Sequence, residues 1–210
     1  MREYLKHFDV DYKDIAQYIP DVMNALHNDK LLAVVDLVEI RSAFRVKMMQ
    51  SKAWLLRNFL NQNPDRNKSI LVIGGWLGFT SWTLFKSGYN NITEIDIDPR
   101  LHNFATHLNR FNTSFVHYAM DANSIDIEKY DIIINTSAEH ILDNTWFERI
   151  RPGAMLLVQS NNIDVPDHTN KTNSLEEMIA KYPLDLLYAG ELDYNDGTSR
   201  FMLVGLKGDK

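Results

Sequence analysis

Residues 69–78 read SILVIGGWLG, an apolar run that ends in a cluster of glycines. Apolar runs of this length are typical of strands buried on both faces in parallel sheets. Residues 80–86 are a predicted helix, so Gly74, Gly75 and Gly78 fall in a strand-to-helix turn. Such a turn lets the backbone approach a ligand, and the helix that follows offers unpaired N–H groups to an anion. Plain glycine turns are also common, so this stretch needs support from the rest of the chain.

Downstream of this turn, short apolar strands alternate with helices. Strands are predicted at residues 92–97, 115–120, 131–134 and 154–158, with helices at about 100–110, 141–150 and 174–181. The last two strands, at 184–189 and 200–206, are separated only by turn residues. This order predicts an α/β, Rossmann-like fold. Its sheet is mostly parallel and seven-stranded, with an antiparallel last strand and helices on both faces.

The N-terminal part of the chain has a helical pattern instead. Apolar residues between Leu31 and Phe59 recur at three- and four-residue spacings, and the polar segment 61–67 ends this pattern. We therefore predict a helical extension at residues 1–65, acting as a lid or an oligomer contact, and an α/β domain at residues 66–210.

Four basic residues fall near the end of the helical extension: Arg41, Arg45, Lys47 and Lys52. We interpret them as the solvated face of an amphipathic helix. The alternative is that they bind an anionic acceptor.

The overall composition excludes several classes of protein. The absence of cysteine among 210 residues excludes disulfides, thiolate metal sites and a cysteine nucleophile. The net charge of −6 disfavours DNA as a partner, while RNA remains open through a local basic patch. The sequence has no signal-peptide pattern and no uncharged apolar run of 18 residues, so we predict a cytoplasmic protein without a membrane span.

Acidic residues follow the second and third predicted strands. Glu94, Asp96 and Asp98 would share one face of the second strand, about 20 residues past the glycines, where a ribose-binding carboxylate is expected. Asp96 is the best candidate because it ends the strand, although these acids could simply cap the next helix. Asp121 follows the third strand, where it could accept from an adenine amino group or form an Asx turn.

The loop after the fourth strand reads NTSAEH at residues 135–140. Because ligands bind beyond the carboxyl ends of strands in doubly wound sheets, Glu139 and His140 are predicted to be catalytic, as an acid–base pair. Two alternatives stay open: a metal site that includes His168, and a helix cap with a solvated histidine. We predict no metal.

Taken together, residues 69 to about 207 resemble the class I S-adenosylmethionine-dependent methyltransferase family. The resemblance implies S-adenosyl-L-methionine as the cofactor. It implies these contacts: Gly74, Gly75, Trp76 and Gly78 with the methionine part, Asp96 and Ile97 with the ribose, Asp121 and Ala122 with the adenine, and Asn135 and Thr136 beside cofactor and substrate. The chain departs from the family at Val72, which replaces an acidic residue, and at Trp76, which replaces the middle glycine.

The resemblance implies a methyltransferase that acts on a small molecule or another non-DNA acceptor, with Glu139 or His140 as base or orienting group. Two alternatives stay open. The glycines and the acidic stretch at 96–99 are also similar to spermidine synthases, which transfer an aminopropyl group. The residues at Val72 and Trp76 are compatible with a nucleoside-binding protein that has lost catalysis.

Overall fold

The computed structural model describes residue 20, residues 42–43 and residues 45–209. The strands are β1 (Ile70–Ile73), β2 (Ile92–Asp96), β3 (Val116–Ala119), β4 (Ile132–Asn135), β5 (Met155–Asn161), β6 (Leu184–Asp193) and β7 (Ser199–Lys207). The helices are α1 (Val46–Asn61), α2 (Phe79–Lys86), α3 (Leu101–Leu108), α4 (Thr145–Glu148) and α5 (Leu175–Lys181), with a 3-10 helix at Ala138–His140. The helices predicted before residue 42, with Arg41 and the proposed oligomer contact, lie outside the described residues apart from residue 20.

The strands form one sheet in the order β3-β2-β1-β4-β5-β7-β6. Strand β7 runs antiparallel to both β5 and β6, while β1 to β5 pair in parallel. All four residues of β1 are buried, as the apolar run predicts for a central strand covered on both faces. The predicted Rossmann-like fold is confirmed.

Helix α1 packs directly on one face of this sheet. Leu55 and Phe59 are buried in a core with Val72, Ile134 and Met202 from three strands. The alternating residues of the strands, such as Leu71 and Ile133, belong to a second core on the other face. Although the sequence assigns α1 to an extension, its apolar stripe is part of the main core.

The helix predicted at 141–150 is wrong in its length. Only Thr145–Glu148 is α-helical, and a separate 3-10 helix precedes it. The Asp143 side chain accepts a hydrogen bond from the N–H of Thr145 at 3.0 Å, which forms an Asx turn directly before the helix. A local turn therefore overrides the apolar pattern. Among the described helices, none is long and apolar enough to cross a membrane.

Candidate functional site

A cavity of about 1160 Å³ lies at the carboxyl ends of the central strands. We call Asp96, at the end of β2, together with Asp98 and Asp121, from the loops after β2 and β3, the acidic wall. We call Arg45, Lys47 and Lys52, at the start of α1, together with Arg200 of β7, the basic wall. Parallel-strand ends are where ligands bind in doubly wound sheets, so this cavity is the candidate site.

The turn after β1 lies between the two walls. Gly74 has a φ of +65°, and a Cβ there would lie 2.6 Å from the Ser137 side chain. Its carbonyl accepts a hydrogen bond from the Thr136 hydroxyl at 2.9 Å. The turn is thus held against the loop after β4, and position 74 requires glycine because its backbone is left-handed and its surroundings leave no room.

Asp96 and the glycine turn meet at the cavity. The backbone N–H of Trp76 donates to Oδ2 of Asp96 at 3.0 Å, and the N–H of Asp98 donates to Oδ1 at 3.1 Å. Burial raises the pKa of Asp96 above its usual range. Asp96 forms no ion pair among the described residues, so its carboxylate can accept further hydrogen bonds from a ligand. Trp76 itself has a φ of +54°, the left-handed region that a glycine would enter without strain.

Other members of the predicted cofactor set support the turn from outside. Gly75 packs against the side chain of Glu94, and Gly78 lies 2.7 Å from Asn109, measured from the position of an added Cβ. The buried Asn135 accepts from the N–H of Ser137 at 2.9 Å. None of these three residues is part of the cavity lining formed by the described residues. Their contact with a cofactor therefore stays a prediction.

Glu94 is a buried carboxyl group beneath the glycine turn. It pairs with Val72 across the two strands and accepts a hydrogen bond from the Ser81 hydroxyl. Burial raises its pKa to about 8, so it is neutral at pH 7. Glu94 and Asp96 share a strand face, as alternation predicts, but only Asp96 reaches the cavity. Glu94 therefore places a buried carboxyl group level with Val72, one strand away.

The far end of the acidic wall has an apolar part. Ala122 is buried, Ile97 is 73% exposed, and both line the cavity beside Asp121. Oδ1 of Asp121 accepts from the N–H of Asn123 at 2.8 Å, so the Asx turn is also present. The structure thus brings together Asp121, Ala122, Asp96 and Ile97, as predicted, around one space.

Comparison with known proteins rests on structure. No protein-family model matches the chain, and no curated protein matches it in sequence. The N-methyltransferase NodS from Bradyrhizobium japonicum, solved with S-adenosyl-L-homocysteine, superposes with a TM-score of 0.62 at 17% identity. The match covers 92% of this chain and 99% of that chain. A SAM-dependent methyltransferase from Methanosarcina mazei gives 0.55 at 16% identity, covering 72% and 98%. The [4+2]-cyclase SpnF gives 0.58 at 12% identity, covering 76% and 82%.

The chain has the class I methyltransferase fold. At these identities the likeness establishes the fold and not the reaction. The match to a [4+2]-cyclase shows the same point, because one fold hosts different chemistries.

Within this class I methyltransferase fold, Glu139 lies between the walls. Its Oε1 accepts from Nδ2 of Asn161 at 2.5 Å and from Nη1 of Arg200 at 3.2 Å. Arg200 also donates to the carbonyl of Thr136. The other oxygen, Oε2, is buried and has no partner among the described residues. Glu139 is therefore held firmly in place, with one oxygen left for a ligand.

His140 lines the same cavity from a more exposed position. Its Nδ1 lies 3.2 Å from the carbonyl of Asp167, and because a carbonyl only accepts, Nδ1 carries the proton. Nε2 then keeps a lone pair. His168 is held in the same way, with Nδ1 3.0 Å from the carbonyl of Ile163.

Glu139, His140 and His168 each place one ligand atom within 4.8 Å of the others. Such a group could hold a divalent cation. The sequence prediction of no metal and the metal alternative both stay predictions.

The basic wall contains one residue that the sequence analysis misjudged, Lys52, and one that it did not name, Arg200. The prediction of a solvated helix face is wrong for Lys52, which is only 9% exposed because α1 packs on the sheet. Arg45 is exposed, as predicted, and Lys47 pairs with Asp196. Arg200 was not singled out, since it lies in a strand with no motif around it. The signal that could have identified Arg200 is the presence of a charged residue in the otherwise mostly apolar run 199–206.

Proposed function

We propose that this chain is an S-adenosyl-L-methionine-dependent methyltransferase that acts on a small molecule. One observation carries the proposal: the glycine turn and Asp96 are joined by the hydrogen bond from Trp76 and line one cavity. The resemblance assigns these two elements to the same adenosyl ligand, and a shared cavity is what that assignment requires.

The ligand runs along the strand ends in this proposal. The ribose hydroxyls donate to Asp96, and charge-assisted hydrogen bonds of this kind are the strong ones. The adenine lies against Ala122 and Ile97, with its amino group toward Asp121. The methionine part lies at Gly74, which leaves the space near His140 for the acceptor. The cavity volume of about 1160 Å³ is sufficient for two small molecules together.

The chemistry is an in-line displacement at the methyl carbon. The acceptor atom forms the new bond to carbon as the carbon–sulfur bond breaks, and that electron pair stays on sulfur. Positioning supplies much of the rate, because the sulfonium is already activated. For a hydroxyl or amine acceptor, Nε2 of His140 takes the proton. Glu139 orients the site through Arg200 and Asn161.

Titration calorimetry with S-adenosyl-L-homocysteine tests the nucleoside site. We expect one equivalent to bind to the wild type, and no heat from NAD, the ligand that a nicotinamide-dependent dehydrogenase of Rossmann-like fold would bind. Binding of NAD in place of S-adenosyl-L-homocysteine would overturn the proposal. For the reaction itself, S-adenosyl-L-methionine is incubated with a deproteinised metabolite extract, and formation of S-adenosyl-L-homocysteine is measured. Turnover must require both extract and protein.

Once an acceptor is found, His140→Ala and Glu139→Gln test the catalytic assignment. We expect His140→Ala to lower kcat by about a hundredfold while the affinity for S-adenosyl-L-homocysteine is kept. Unchanged rates in both variants would remove these two residues from the mechanism.

A further inference from the structure

The basic wall holds a lysine that the mechanism above does not use. Lys52 lies inside α1, is nearly buried and lines the cavity. Among the described residues its ammonium group makes no hydrogen bond and no ion pair. A buried cation without a partner is costly, so such a residue is expected where an anionic ligand supplies the partner.

Arg200 places a second cation beside Lys52. The positive charge of Arg200 helps burial to lower the pKa of Lys52, to about 8. Arg200 is 7% exposed, and its Nε is buried without a partner among the described residues. Its ion pair with Glu139 accounts for one negative charge. Two buried cations therefore share one carboxylate.

Glu94 does not neutralise the second cation. Among the described residues it forms no ion pair with Lys52, and its Oε2 instead accepts a hydrogen bond from the Ser81 hydroxyl. Arg200 donates to the carbonyl of Thr136, and the hydroxyl of Thr136 in turn donates to the carbonyl of Gly74. The basic wall is thus joined to the glycine turn through Thr136.

We propose that Lys52 and Arg200 form a subsite for the α-carboxylate of the adenosyl ligand. This inference rests on the proposed function, in which the amino-acid part of the ligand lies at the glycine turn. The carboxylate supplies the negative charge that the pair lacks, and charge-assisted hydrogen bonds of this type contribute strongly to affinity. The subsite selects nucleosides that keep the carboxylate. Aminopropyl transfer uses the decarboxylated nucleoside, so the subsite favours methyl transfer.

Two ligands that differ only in the carboxylate test the subsite: S-adenosyl-L-homocysteine and its decarboxylated analogue. We expect the wild type to bind the first about tenfold or more tightly. Lys52→Met should abolish this preference by weakening S-adenosyl-L-homocysteine alone, and Lys52→Arg should keep most of it. Lys129→Met, at an exposed position outside the cavity lining, is the matched control and should behave as the wild type.

The outcomes separate the two levels of inference. If wild type binds neither nucleoside, the proposed function fails. If it binds both equally, or if Lys52→Met weakens both alike, the nucleoside site stands and the carboxylate subsite is wrong. If Lys52→Met changes only the KM of an anionic acceptor, the subsite belongs to the acceptor and the inference is likewise overturned. Thermal unfolding of each variant confirms that the fold is kept.

Discussion

The two walls of the cavity are assembled in different ways when the chain folds. The acidic wall is built from the end of β2 and the loops that follow β2 and β3, and parallel strand ends meet at one edge of the sheet. The basic wall joins a helix before β1 to a strand near the end of the chain. Local order along the sequence therefore determines the first wall, while long-range packing of α1 on the sheet determines the second. Sequence motifs therefore reveal the acidic wall, whereas only the tertiary structure reveals the basic wall.

The largest effect is expected from filling the space under the acidic wall. Gly75→Ala drives a methyl group into the Glu94 side chain. We expect a loss of about 3 kcal/mol in the free energy of unfolding, measured in urea. Gly208→Ala is the control, because its backbone is not left-handed and an added Cβ there would come no closer than 4.0 Å to a neighbouring atom. A Gly75→Ala loss no greater than that of the control would contradict the close packing described here.

Removing the Asp96 carboxylate, which we propose binds the ribose, should disrupt the acidic wall as a binding surface. We expect Asp96→Ala to weaken S-adenosyl-L-homocysteine by about a hundredfold, because two charge-assisted hydrogen bonds are lost. Asp121→Ala is the comparison within the same wall, and since Asp121 is exposed we expect about threefold. Calorimetry measures both. Equal effects would mean that the two acids share one role.

The affinity for S-adenosyl-L-homocysteine should fall at low pH and at high pH, and each wall should account for one of these two limbs of the pH profile. Asp96 must be ionised to accept from the ribose, and its pKa is raised, so affinity falls as the pH falls through that pKa. Lys52 must be protonated to hold a carboxylate, and its pKa is about 8, so affinity also falls above pH 8. Each limb reaches at most about tenfold per pH unit.

Variants assign these limbs. Asp96→Asn should flatten the acid limb. Lys52→Met should remove the part of the alkaline limb that comes from deprotonation of Lys52. The part that comes from ionisation of Glu94, whose pKa is also about 8, should remain. An alkaline limb unchanged by Lys52→Met would contradict the role given to the basic wall.

The smallest effect is on stability. The folded protein holds a proton on Glu94 that the unfolded chain releases above its ordinary pKa, so stability is lost as the pH rises toward 8. Glu94→Gln removes this loss, and we expect the variant to be about 1 kcal/mol more stable than wild type at pH 8. At pH 4 the gain should vanish. Thermal unfolding at both values, compared with Glu128→Gln at the surface, measures it.

The sequence predicts the sheet well because apolar runs and glycine turns are local signals. It also predicts Asp96, since a carboxylate at a strand end must face the ligand edge. It cannot tell that Glu94, two residues earlier on the same face, ends beneath the turn, because depth depends on how α2 covers the strand. Lys52 is misjudged for the same reason: the polarity of a side chain does not reveal which helix face is covered.

The proton on Glu94 also alters the charge of the molecule as a whole. The formal charge of −6 counts every carboxyl group as ionised. With Glu94 neutral, the folded protein at pH 7 is one unit less negative. Glu94 therefore contributes the release of about one proton to unfolding at that pH, an acidifying contribution in an unbuffered solution.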